Sequence, residues 1–63
     1  MSERWHIVEC TILRHSGGAV LILVHGEELW IPKSQIEDAA DLPAAGNAEV
    51  IMTAWIAKQK GLI

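Results

Sequence analysis

Apolar and polar residues alternate through Trp5 to Arg14: Val8, Cys10 and Ile12 form one row, with Glu9 and Thr11 between them. That is the period of a strand with one buried face. Ile7 and Leu13 fall on the opposite parity, so the second face is only partly polar. Frequent β-branched residues and the absence of a clean 3.6-residue stripe argue against a helix. His15-Ser16-Gly17-Gly18 supplies turn chemistry, with two glycines free to take positive φ. Ala19 to Val24 is an unbroken apolar run, the signature of a strand covered on both faces. So short a chain covers both faces only by curling its sheet into a barrel or by recruiting a second copy. His25-Gly26 fits a two-residue type I′ hairpin loop, and Glu27 to Ile31 is the returning strand, ended by Pro32.

Lys33 to Gly46 reads mostly as loop, with one helical turn at Ile36 to Asp41 broken up by Leu42-Pro43 and Gly46. Asn47 to Met52 regains strand character through Val50 and Ile51. Thr53 then caps a short helix, Ala54 to Lys60. Lys58 and Lys60 suit its C-terminal dipole, Gly61 takes the C′ position, and Leu62 and Ile63 fold back on the cap. The expected architecture is mainly β, a single domain over residues 1–63. It is a β-β-β meander, a loop, a fourth strand and a short C-terminal helix, in the manner of a small SH3-like or Sm-like barrel.

Composition sharpens this picture. Of 63 residues, 51% are hydrophobic, while a chain of this size buries only ~60% of its unfolded surface. The surplus points to self-association. Trp5, Trp30 and Trp55 are the only aromatic residues, and tryptophan is enriched at interface hot spots. Trp5, Trp55, Ile56, Leu62 and Ile63 are therefore the expected interface of a homo-oligomer. Five basic against eight acidic residues give a net charge of −3, the wrong sign for a nucleic-acid binder. The longest apolar run is far below the ~20 residues of a membrane-spanning helix. A single cysteine and a first segment, Met1 to Trp5, without a leader pattern fit a reducing cytoplasm.

The stretch Trp30-Ile31-Pro32-Lys33-Ser34-Gln35 carries the most chemistry. An indole at a strand end stacks on a base, and the lysine, hydroxyl and amide beyond it meet phosphate, ribose or base edges. The competing reading buries Trp30 in the core, leaves Lys33 solvated and lets Ser34 cap a turn. His6, His15 and His25 lie nine and ten residues apart, without the spacing of zinc ligands, so no metal is expected. Arg14, His15 and His25 at turns are instead candidates for receiving an anion. Glu27-Glu28 and Glu37-Asp38-Asp41 read as solvated charge rather than acid–base pairs, and Cys10 as a small buried hydrophobe rather than a nucleophile. No nucleophile triad, phosphate-cradling glycine loop or HExxH motif occurs. A non-enzymatic protein without a cofactor is the expectation.

Gly26-Glu27-Glu28-Leu29-Trp30-Ile31-Pro32-Lys33-Ser34-Gln35-Ile36, with the tail Trp55-Ile56-Ala57-Lys58-Gln59-Lys60-Gly61-Leu62, resembles a motif in small uncharacterised proteins of bacteriophages and prophages. The resemblance runs from Ala19 to the C-terminus with the middle loop unmatched, and Thr53 stands where those relatives commonly carry proline. It implies a phage or mobile-element origin and a host-cell cytoplasmic setting. With the apolar surplus it suggests a homo-oligomeric binding protein. Its ligand would be a small anion, such as a nucleotide signal of host immunity, held by Trp30, Lys33, Ser34 and Gln35 with Arg14, His15 or His25. The alternative is a protein–protein module that inhibits a host protein or assists a phage replication complex.

Overall fold

A computed structural model describes residues 4–63, so the leader reading, in so far as it rests on residues 1–3, lies outside the described residues. Four strands form one antiparallel sheet: β1 (Trp5–His15), β2 (Ala19–Val24), β3 (Glu27–Pro32) and β4 (Gly46–Thr53), in the order β3-β2-β1-β4. A helix, α1 (Ala54–Gln59), follows β4 directly. The expected strands are all present, each end within two residues of its predicted position. The segment between β3 and β4 is more ordered than its sequence suggested. It holds two 3₁₀ turns, Lys33–Gln35 and Ala39–Asp41, and Ile36 forms a single antiparallel bridge with Met52. Apart from that bridge, β3 and β4 do not pair among the described residues, and the sheet is open.

Register explains which side chains go inside. Val8, Ile12, Val20, Ile22, Val24, Ile31, Val50 and Met52 share the inner face, where Ile36, Ile56 and Ala57 pack over them. Ile12, Val20, Ile22, Ile31, Val50 and Met52 are almost wholly excluded from water. Each such aliphatic side chain contributes roughly 1.5–3 kcal/mol on burial. Leu21 is the one buried hydrophobic side chain among the described residues that lies off this face.

Two local devices hold the ends of this core. The β2–β3 turn has His25 at φ 52° and Gly26 at φ 78°, the positive pair that a type I′ turn requires. At the other end, Thr53 Oγ1 accepts a hydrogen bond from Ile56 N (3.2 Å) and donates one to Gln35 Oε1 (2.7 Å). One hydroxyl thus caps α1 and ties the first 3₁₀ turn to it. The helix closes in a Schellman arrangement: Leu62 N donates to Ala57 O (2.8 Å) and Gly61 N to Lys58 O (3.1 Å), with Gly61 at φ 75°. Leu62 then lies against the core, the hydrophobic contact that accompanies this cap.

The strand read as β1 hides one irregularity that its sequence did not signal. Ile12 pairs with Ile22, but Leu21 pairs with Arg14, so Leu13 is an extra residue at a β-bulge. Simple alternation would have continued the row Val8, Cys10, Ile12 with Arg14. The bulge puts Arg14 on the outer face and His15 on the inner one.

Replacing Thr53 with alanine removes both the helix cap and the link to Gln35. The expected loss is about 1–2 kcal/mol, read as a lower urea midpoint with an unchanged slope. A midpoint equal to wild type would show that neither bond contributes to stability.

Candidate functional site

The bulge creates a row of three residues across the outer face. Arg14 on β1 pairs with Leu21 on β2, which pairs with Trp30 on β3. The outer two reach over the middle one: the Arg14 guanidinium carbon lies 5.7 Å from the Trp30 ring centroid, within cation–π range. Leu21 beneath them is 8% exposed. Leu21, the middle outer-face residue of the run Ala19–Val24, is thus covered from within the chain, by a cation–aromatic roof rather than by a second sheet.

That roof is open to solvent. Trp30 is 40% exposed, so the competing reading that buries it in the core does not hold. Arg14 is exposed, and no carboxylate pairs with it among the described residues. A guanidinium with free N–H groups beside a flat indole offers an anion contact and a stacking surface together.

The other sequence-derived candidates fall in different places. Lys33 is half-buried at the end of β3, its backbone N–H on Gly18 O (2.9 Å). It opens the first 3₁₀ turn, at the same end of the sheet as the roof. Ser34 is exposed beside it. Gln35 spends its amide oxygen on Thr53, which makes it a structural tie first. His15 Nε2 lies 2.8 Å from Pro43 O. A carbonyl only accepts, so Nε2 carries the proton, and His15 pins the β3–β4 segment. His25 sits in the β2–β3 turn at the far end of β2, roughly 20 Å along the strand from the β1–β2 turn. The expected grouping of Arg14, His15 and His25 is therefore not formed. Arg14 stands with Trp30, His15 is occupied, and His25 is elsewhere.

A groove of about 540 Å³ lies by His25, lined also by Glu9, Thr11, Leu23, Asn47 and Glu49. Glu9 and Glu49 are direct cross-strand partners on its wall, and two carboxylates so placed repel an anion. It is therefore not the anion site, despite its size. Cys10, half-buried, has its thiol pushed up by desolvation, away from the thiolate a nucleophile needs. Among the described residues no three His, Cys, Asp or Glu side chains gather as metal ligands.

Of the expected interface residues, Ile56 is a correction. It is 4% exposed and belongs to the core, because α1 turns it onto Met52's side of the sheet. Leu62 is half-buried against the same core. Trp5, Trp55 and Ile63 are exposed, at 40%, 60% and 55%. The sequence reading missed Ile7, which at 59% is the most exposed large aliphatic side chain among the described residues. Its off-parity place in β1 was the available signal.

Compared with known proteins, the chain matches no family model, no curated protein and no solved structure.

A double-mutant cycle tests the roof. Arg14→Ala and Trp30→Leu should show a coupling of about 0.5–1 kcal/mol in chemical unfolding. Strict additivity would mean that the two side chains cover Leu21 independently.

Proposed function

We propose that this chain is a non-enzymatic, homo-oligomeric binding protein of bacteriophage type on a small SH3-like or Sm-like barrel scaffold. Its ligand is a small anion with a flat aromatic part, such as a nucleotide signal of host immunity, and its effect is sequestration. The observation that carries the reading is the outer-face pair of Arg14 and Trp30. It sets a guanidinium without an ion-pair partner among the described residues 5.7 Å from an exposed indole, at the end of the sheet where Lys33 and Ser34 also lie. Phosphate oxygens would take the Arg14 and Lys33 charges, and the base would stack on Trp30. The Ile36–Met52 bridge supports the barrel half of the reading, because it carries the chain after β3 onto the edge of β4.

A protein–protein module is the second reading. It is favoured by Trp55 at 60% exposure, an indole on α1 that the anion site does not use. A host protein or phage replication complex would be its partner.

Calorimetric titration of mononucleotides and of cyclic di- and trinucleotides separates the two. Wild type should bind at least one of them, with Lys33→Ala weaker by about ten- to a hundredfold, as loss of a charge-assisted bond implies. The variant's fold should be intact, since Lys33 makes no ion pair among the described residues. Binding by none of these ligands, or equal binding by both proteins, removes the nucleotide reading and leaves the protein module.

A further inference from the structure

β1 outruns its neighbour on one side. Pairing with β2 begins only at Thr11, whereas β4 accompanies β1 from Trp5 onward. Residues Trp5 to Cys10 therefore have a strand on one edge and, among the described residues, none on the other. A single bond gives the direction of their backbone groups. Ala54 N donates to Arg4 O (2.9 Å), so Arg4 faces β4. Antiparallel alternation then turns the even residues to β4 and the N–H and C=O groups of Trp5, Ile7 and Glu9 to the open side. The bond from Glu37 N to Ile51 O (2.8 Å) on the far edge of β4 obeys the same alternation.

The three open edges are not equivalent. β3 ends on Pro32, which has no N–H to offer. β4 is met at its upper half by Ile36 and Glu37, and its lower half carries Asn47 and Glu49. The β1 edge carries no strand among the described residues and no proline; the His25 turn and Leu62 border a groove along it, and exposed Trp5 and Ile7 flank it on the outer face. A bare strand edge beside exposed apolar side chains is what monomeric sheets avoid.

We propose that this edge pairs antiparallel with the same edge of a second copy, about a two-fold axis at His6, joining the two sheets into one of eight strands. Two features select a second copy in this register. Trp5 of each chain meets Ile7 of the other on the outer face, an aromatic and β-branched cross-strand pair formed twice. Trp5 and Ile7 also satisfy one another's open backbone groups through about four hydrogen bonds. A longer overlap would run into the His25 turn, which stands beside Glu9 and Val24 at the end of the groove. The inference deepens the homo-oligomer half of the proposed function and rests on it. It makes no use of the Arg14–Trp30 site.

Sedimentation equilibrium and a designed cross-link test it. Wild type at about 100 μM should weigh twice the 6.9 kDa of the chain, or a higher even multiple. Ile7→Lys should weaken that association at least tenfold with an unchanged circular dichroism spectrum. His6 of the two copies would face at a non-hydrogen-bonded position, with Cα atoms about 4.5 Å apart, within reach of a disulfide. His6→Cys in a Cys10→Ser background should therefore lock a covalent dimer under mild oxidation, while Lys58→Cys in that background should not. Should Ile7→Lys fail to fold, the cross-link decides alone. A 6.9 kDa species for wild type, or an assembly that neither variant affects, overturns the proposal. Loss of nucleotide binding with the dimer intact would instead count only against the ligand reading.

Discussion

The extra residue in β1 is the constraint from which the outer face is built. Without a bulge at Leu13, strict alternation would point Arg14 into the row of Val8, Cys10 and Ile12. A guanidinium there would be desolvated among aliphatic side chains with no carboxylate to pair with, at a cost of several kcal/mol. Shifting the register by one residue between Ile12 and Arg14 removes that conflict. It sends the charge outward and turns His15 inward, where its ring reaches Pro43 O. The shift also aligns Arg14 with Leu21 and Trp30, so the cost of exposing Leu21 is offset by the roof above it. One unpaired residue thus settles the core, the loop anchor and the candidate site together.

A chain of 63 residues has just enough material to cover one face of a four-stranded sheet. The β3–β4 segment and α1 supply that cover, and Thr53 holds the two together through a single hydroxyl. Among the described residues no further element forms a layer on the second face. Cover there is assembled from long side chains lying over short ones, as Arg14 and Trp30 lie over Leu21. This works in the centre of the sheet, where strands on both sides lend side chains. It fails along Trp5 to Cys10, where β1 has a neighbour on only one side, and there Ile7 and Trp5 stay in water. Exposed apolar area and open backbone groups coincide for the same topological reason.

Charge is distributed to match. Glu9 and Glu49 face each other across β1 and β4 near the His25 turn, and the Arg14 end lies at the opposite end of β2. The sheet therefore has an acidic end with the larger groove and a cationic, aromatic end with little concavity. Volume and electrostatics point to different places, and for an anion the sign of the local charge decides.

Period-two alternation, the Gly17-Gly18 and His25-Gly26 turns, Pro32 and the Thr53 cap are local signals. The sequence by itself determined the four strands, the type I′ hairpin and the C-terminal helix, because each depends on neighbours a few residues away. It also singled out Trp30 and Arg14 as residues to watch, though for separate reasons. Only the tertiary structure decided that these two meet, since their proximity runs through two strand registers and a bulge that no residue type announces. The same holds for His15, whose partner Pro43 is 28 positions distant, and for Gln35, claimed by Thr53 rather than left free. Ile56 departed from expectation by going into the core, while Ile7, off the buried row of β1, stayed outside. Hydrophobicity marks both alike, and only the order of the strands and the direction of α1 determine which of them finds a covering layer.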